Sequence, residues 1–146
     1  MTLELKLMDK RSETNLINVH PDLVKVIVQA KEMEPNFIVV CGVRTLAEQQ
    51  ALYAQGRTKP GLKVTNCDGV KSKSNHQVHA DGFGYAVDVY ADTNGNKKVD
   101  ALEINDVKGL SLVANNIKIC AKQLGIPVEW GGDWKVKDYP HFELKK

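Results

Sequence analysis

Residues 74–90 read SNHQVHADGFGYAVDVY, and the rest of the chain is arranged around this run. Its second half, Ala86-Val87-Asp88-Val89-Tyr90, is apolar, alternating and rich in strand-forming residues, which predicts a β-strand. A carboxylate on an otherwise apolar strand is costly to bury unless it is paired or bound to a metal. Asp88 is therefore a candidate zinc ligand, and His76 in the same run is a second. The third is expected from the far end of the chain, within Asp138-Tyr139-Pro140-His141-Phe142-Glu143. A zinc centre that performs chemistry uses three protein ligands and keeps one position open.

Upstream of the run, residues 1–19 read as a polar lead-in with a few apolar anchors. His20-Pro21-Asp22 marks a helix start, and Leu23, Val24, Ile27 and Ala30 trace its apolar face as far as about Met33. Phe37 to Cys41 is a short buried strand by composition. Thr45 and Glu48 have the spacing of a capping box, so a second helix follows to about Gln55. Residues 56–73 form a long loop with turn signals at Pro60-Gly61 and Asp68-Gly69, and loops of that length tend to be functional.

Downstream, residues 91–105 are polar and turn-like. A third helix is expected from about Asp106 to Leu124, with a stripe of Leu110, Val113, Ile117, Cys120, Ala121 and Leu124, ended by Gly125 and Pro127. Val128 to Trp130 and His141 to Leu144 are two short strands around a Gly131-Gly132-Asp133-Trp134 turn. The expected fold is a single α+β domain over residues 1–146, with helices packed on a small, mainly antiparallel sheet. A parallel doubly wound sheet is the weaker alternative.

Composition excludes several classes. At 146 residues and a net charge of +2, the chain has no basic stripe with interleaved aromatics, so no nucleic-acid partner is expected. Cys41, Cys67 and Cys120 are odd in number and far apart, which argues against a disulfide framework or a cysteine–zinc knuckle. Cys41 and Cys120 lie in apolar runs and are expected to pack as small core residues. The first residues, MTLELKLMDKRSET, are too polar for a secretory signal, and no apolar run is long enough to span a bilayer. Synthesis in a reducing cytosol is the expectation.

On the last strand, alternation puts His141 and Glu143 on one face. Asp138, one turn earlier, is the candidate general base that would take a proton from metal-activated water. A lone histidine such as His20, at a helix entry, is more often a surface or satisfied core residue, and His79 alone is ambiguous.

Taken together, several pieces resemble one family. They are Gly42-Val43-Arg44-Thr45, the segment QQALYAQGRTKPG (residues 49–61), Ser74-Asn75-His76, Gly84-Tyr85-Ala86-Val87-Asp88, Trp130-Gly131-Gly132-Asp133-Trp134, and Asp138 to Glu143. In this order they resemble the zinc peptidases that include D-Ala-D-Ala carboxypeptidases, vancomycin-resistance dipeptidases and phage endolysins with L-alanyl-D-glutamate peptidase activity. The QGRTKPG segment is most similar to the endolysin branch. The resemblance covers about residues 20–144. It implies a zinc held by His76, Asp88 and His141, Asp138 as base, and Arg44 facing the site to hold a developing oxyanion. The family pattern S-x-H-x-x-G-x-A-x-D is interrupted here, and residues 77–83 read as an insertion. His79 is thus the alternative ligand to His76, while Asp81 stands at the family's usual ligand spacing from Asp88. Asp133 and Trp134 read as turn and core packing rather than substrate contacts.

The resemblance further implies a phage-type endolysin that cuts peptidoglycan stem peptides, with the L-Ala to D-Glu bond preferred. A D-Ala-D-Ala carboxypeptidase or dipeptidase, or a non-catalytic wall-binding module on the same fold, are the alternatives. It implies a monomer made in the host bacterial cytoplasm that acts on the cell wall after release by a pore-forming partner. There is no separate wall-binding domain in this reading. Separately, Asp92, Asn94, Asn96, Asp100 and Glu103 occupy positions one, three, five, nine and twelve of a calcium loop, with Lys97 where that loop carries glycine. Calcium is therefore a second candidate cation.

Overall fold

The structure, a computed structural model, describes residues 8–99, 103 and 106–145. Among the described residues, four helices pack with a four-stranded sheet. In chain order the elements are α1 (Lys10–Asn15), α2 (Pro21–Ala30), β1 (Asn36–Cys41), α3 (Leu46–Ala54), β2 (Ala86–Asp92), α4 (Val107–Leu124), β3 (Val128–Trp130), a 3-10 turn (Gly131–Asp133) and β4 (His141–Leu144). The sheet order is β1-β2-β4-β3, and every pairing is antiparallel. The α+β expectation is borne out, and the doubly wound alternative is excluded.

The helix boundaries follow from capping. Asp106 accepts from Gly109 N at 2.8 Å to start α4, and Gly125 closes it in the left-handed conformation, φ 69°. Thr45 and Glu48 form the reciprocal capping box of α3. His20 caps α2 through its ring, with Nδ1 accepting from Asp22 N at 3.0 Å. The polar lead-in conceals α1, which Asp9 caps by accepting from Ser12 N at 2.9 Å. Ser12 is fully buried because its hydroxyl in turn takes Val39 N, at 2.9 Å, on β1. Leu124, expected on the buried stripe of α4, is instead exposed, since Gly125 turns the chain there.

Alternation on β2 separates two functions. Val87, Val89 and Ala91 face the core made with Leu23, Ile27, Val113 and Ile117 from α2 and α4. Asp88 and Tyr90 point to the opposite face. Phe142 is completely buried on the core side of β4 and stacks near Trp130, ring centroids 6.3 Å apart. Gly42, just past β1, is a close-approach position: a Cβ there would meet Asn15 O at 1.8 Å. Among the described residues, no helix is long and apolar enough to cross a membrane. Phe142→Ala should cost about 3–5 kcal/mol by opening a cavity under the sheet, measured by urea unfolding of the metal-free protein.

Candidate metal centre

Strand register assembles the site. Cys41 on β1 pairs with Asp88 on β2, and Asp88 pairs with His141 on β4, so one row of side chains crosses three strands. His141 Nδ1 lies 3.4 Å from Asp88 Oδ1. His76 reaches the other side of the same carboxylate, with Nε2 at 3.4 Å from Asp88 Oδ2. The two imidazoles are edge to face, centroids 5.1 Å apart.

His76 is aimed by its backbone surroundings. Its Nδ1 is 2.8 Å from Gly42 O, and a carbonyl can only accept, so Nδ1 carries the proton and Nε2 faces Asp88. Arg44 N donates to His76 O at 2.9 Å, and Tyr85 N to Asn75 O at 2.8 Å, locking the 74–76 segment between β1 and β2. Arg44 Nη2 pairs with Asp88 Oδ2 at 3.3 Å. Its Nη1 donates to Gln49 Oε1 at 3.1 Å, and Gln49 is itself fully buried, with Nε2 donating to Cys67 O at 2.9 Å. The long loop is thereby anchored to the arginine.

Asp138 is half-exposed, with Oδ2 at 3.9 Å from His141 Nδ1. It is placed by a tight turn: Asp138 N donates to Gly131 O at 2.9 Å, and a Cβ on residue 131 would meet Asp138 O at 2.2 Å. Trp134 leans over His141 with centroids 5.0 Å apart, so it lines the site instead of packing in the core as expected. Asp133 is exposed and pairs with Lys118 at 2.6 Å. Cys41 also corrects its expectation: it is half-buried at the site, Sγ 3.9 Å from His76 Nδ1, whereas Cys120 is a core residue.

Residues 77–83, which the resemblance reads as an insertion, fold on themselves. His79 N donates to Phe83 O and Gly82 N to His79 O, both at 2.9 Å. His79 stacks on Tyr85 at 3.7 Å, and Asp81 accepts from Tyr85 Oη at 2.6 Å. The structure therefore brings His76, not His79 or Asp81, to Asp88. A cleft of about 410 Å³ lined by Lys73, Ser74, Asn75, Gln77, Val78, His79 and Ala80 runs beside this segment.

The donors fit a zinc ion. His76 Nε2 and Asp88 Oδ1 are buried without hydrogen-bond partners, a costly state that a cation would relieve. Tetrahedral ligands about 2.0–2.1 Å from a metal lie roughly 3.3–3.4 Å apart, matching both histidine–Asp88 separations. Ligand atoms of Asp88, Asp138 and His141 lie within 4.8 Å of one another, as do those of Cys41, His76 and Asp88.

The calcium-loop residues partly converge as well. Asp92 and Glu103 are buried, 2% and 3% exposed. Asp92 Oδ2 accepts from Lys97 N at 2.9 Å, and Asp92 Oδ1 is buried without a partner. Lys97 adopts φ 63°, the left-handed conformation that glycine supplies at that position. Asn94 Oδ1 accepts from Asn96 N at 3.1 Å. Asp100 lies outside the described residues.

This fold is similar to that of the L-Ala D-Glu endopeptidase ChiX of Serratia marcescens. Its crystal structure matches with a TM-score of 0.69 at 33% identity, over 94% of this chain and 89% of that one. The chain belongs to the phage L-alanyl-D-glutamate peptidase family, whose family model matches residues 3–146. It is 34% identical over 136 residues to the peptidoglycan L-alanyl-D-glutamate endopeptidase CwlK of Bacillus subtilis (strain 168), covering 88% of this chain and 71% of CwlK. It is 33% identical over 138 residues to the L-alanyl-D-glutamate peptidase of Escherichia phage T5, covering 94% of this chain and 88% of that one. The resemblance read from the motifs is borne out.

Electrostatics set a pH signature. Burial disfavours charge on His76, but the Asp88 carboxylate outweighs it and raises the imidazole from 6.5 to about 9. Burial likewise disfavours the Asp88 carboxylate, yet His141 and His76 hold it well below the usual range. For the raised histidine, stabilisation is complete below pH 6.5 and is lost as pH climbs through about 9. The unfolding free energy of chelator-treated protein should therefore fall over that interval. A metal ion held by His76 would have to displace the same proton, so metal affinity should rise over the same interval, with proton release visible by calorimetry. Equal metal-free stability at both ends of the interval would contradict the His76–Asp88 pairing.

Proposed function

We propose that this chain is a zinc-dependent peptidase that hydrolyses the L-alanyl-D-glutamate bond of peptidoglycan stem peptides. The observation that carries the zinc reading is the meeting of two buried donors without hydrogen bonds, His76 Nε2 and Asp88 Oδ1, with His141 Nδ1. The bond assignment is supported by the family and by the activities named for CwlK and the phage T5 peptidase.

In this reading His76 Nε2, the Asp88 carboxylate and His141 Nδ1 hold the ion. Zinc bound there supplies Lewis-acid activation of water and of the scissile carbonyl. Asp138 acts as the base. Burial and the Asp88 charge raise its pKa above that of an ordinary aspartate, which makes it a stronger proton acceptor. Its Oδ2 takes a proton from the attacking water and returns it to the amine leaving from D-glutamate. Arg44, braced by Gln49, directs its guanidinium at the carbonyl oxygen as negative charge develops. Trp134 shields one side of His141 from water. The protein acts as a monomer on the wall after synthesis in the host cytoplasm, and a pore-forming partner lets it out.

His141→Ala should lose zinc and activity together. Asp138→Ala should keep stoichiometric zinc, by metal analysis, while turnover falls roughly 100-fold or more. A zinc-free Asp138→Ala would reassign Asp138 as a ligand. Masses of products from purified muropeptides identify the bond, and release of terminal D-alanine would replace this reading with a D,D-carboxypeptidase. Binding to sacculi with no chelator-sensitive cleavage would replace it with a wall-binding module.

A second cation is supported by the orphaned Asp92 Oδ1 and the left-handed Lys97. We assign calcium to the loop from Asp92 to Glu103, with oxygen donors suited to a hard ion. Millimolar calcium should raise the melting temperature of the wild type but not of Asp92→Asn. Equal shifts in both proteins, or none in either, would remove calcium from this loop.

A further inference from the structure

We infer that Glu143 is a positioning residue for the site, fixing the ring and the proton of His141, and that Asn75 holds Glu143 in turn. The inference rests on the reading of His141 as a metal ligand. Glu143 Oε1 is 2.7 Å from His141 Nε2, the shortest polar contact of that ring. Both Glu143 and Asp88 only accept, but Glu143 is the nearer, so in the neutral ring Nε2 keeps the hydrogen and the Nδ1 lone pair is free for an ion beside Asp88, 3.4 Å away. Without such an acceptor a neutral imidazole divides its proton between two nitrogens, and the fraction protonated on Nδ1 cannot ligate. The carboxylate also makes the ring a stronger electron donor.

The second oxygen of Glu143 is held independently. Asn75 Nδ2 donates to Oε2 at 2.8 Å, so both carboxylate oxygens are satisfied although the side chain is only 14% exposed. Asn75 immediately precedes His76. The relay Asn75–Glu143–His141 therefore ties the segment bearing one histidine to the strand bearing the other, and sets their separation with side-chain hydrogen bonds as well as backbone ones.

Sheet geometry argues that this carboxylate is not placed for stability alone. Glu143 sits directly opposite Glu129 in the β3–β4 register, and like charges at such a pair are destabilising. A neutral glutamine would keep the shape and remove the repulsion, but it offers a single acceptor where His141 Nε2 and Asn75 Nδ2 need two. The acid is justified by what it does to His141.

The test compares wild type, Glu143→Gln and Asn75→Ala by zinc affinity in chelator competition, by metal-free melting, and by nitrogen NMR of the His141 tautomer with the ring neutral. Wild-type His141 should carry its hydrogen on Nε2. Glu143→Gln should show mixed tautomers and bind zinc roughly 10–100-fold more weakly, a loss in affinity larger than its loss of metal-free stability by melting. Asn75→Ala should weaken zinc by a smaller factor. Unchanged affinity and tautomer in Glu143→Gln would overturn the inference, as would an affinity loss accompanied by a matching loss of metal-free stability. If Glu143→Gln did not fold, an Asn75→Ala protein with wild-type affinity and tautomer would overturn it instead. A wild-type protein that binds no zinc, yet shows a Glu143-dependent tautomer, would sink the zinc peptidase reading and leave the relay standing.

Discussion

The site depends on one buried carboxylate on an inner strand. Asp88 sits on β2 between β1 and β4, where neighbouring side chains exclude water and nothing apolar can satisfy it. Its two oxygens are approached by His76, Arg44 and His141, each from a different element. Removing any one of these cations leaves part of a desolvated negative charge without compensation, which costs more than the pair itself contributes. The strand cannot shift register to escape, because a slip by one residue would send Val87 and Val89 to the solvated face and Asp88 into the core. The apolar face of β2 thus locks the polar face in place.

Around that carboxylate the protein places donors by direct bonding and by bracing. Gly42 O fixes the His76 ring, Gln49 fixes Arg44, and Gly131 lets the turn approach closely enough to hold Asp138 near His141. Each of these three contacts determines where a side chain of the site lies. The insertion at residues 77–83 is accommodated because it closes on its own hydrogen bonds and stacks His79 on Tyr85, so the added length does not reach Asp88.

Much of this was legible in the residues. All four strands announced themselves by composition, and two helices by their caps, because alternation and capping are local properties. What escaped was set by tertiary context. The helix α1 has too few apolar residues to show a period, and its burial depends on Ser12 bonding Val39 across 27 positions. Cys41 reads as core because it ends an apolar run, but the β1–β2 register shifts between Val39 and Cys41 and its thiol lies toward His76. Trp134 follows a pair of glycines, whose conformational freedom conceals where the next side chain points. Gln49 looked like one more polar position on a helix of weak amphipathicity, and only the fold shows it buried beneath Arg44.

The insertion of β4 between β2 and β3 has a consequence for cooperativity. Among the described residues, β3 pairs in the sheet with β4 alone. Detaching β4 would therefore release β3, the turn that carries Asp138, and His141 in a single event. A subglobal opening of that kind leaves no half-competent intermediate: the species that loses the strand loses the chemistry too. Amide exchange on β3 and β4 should then report one shared opening energy, and any ion that clasps His141 would slow exchange in both strands by the same increment.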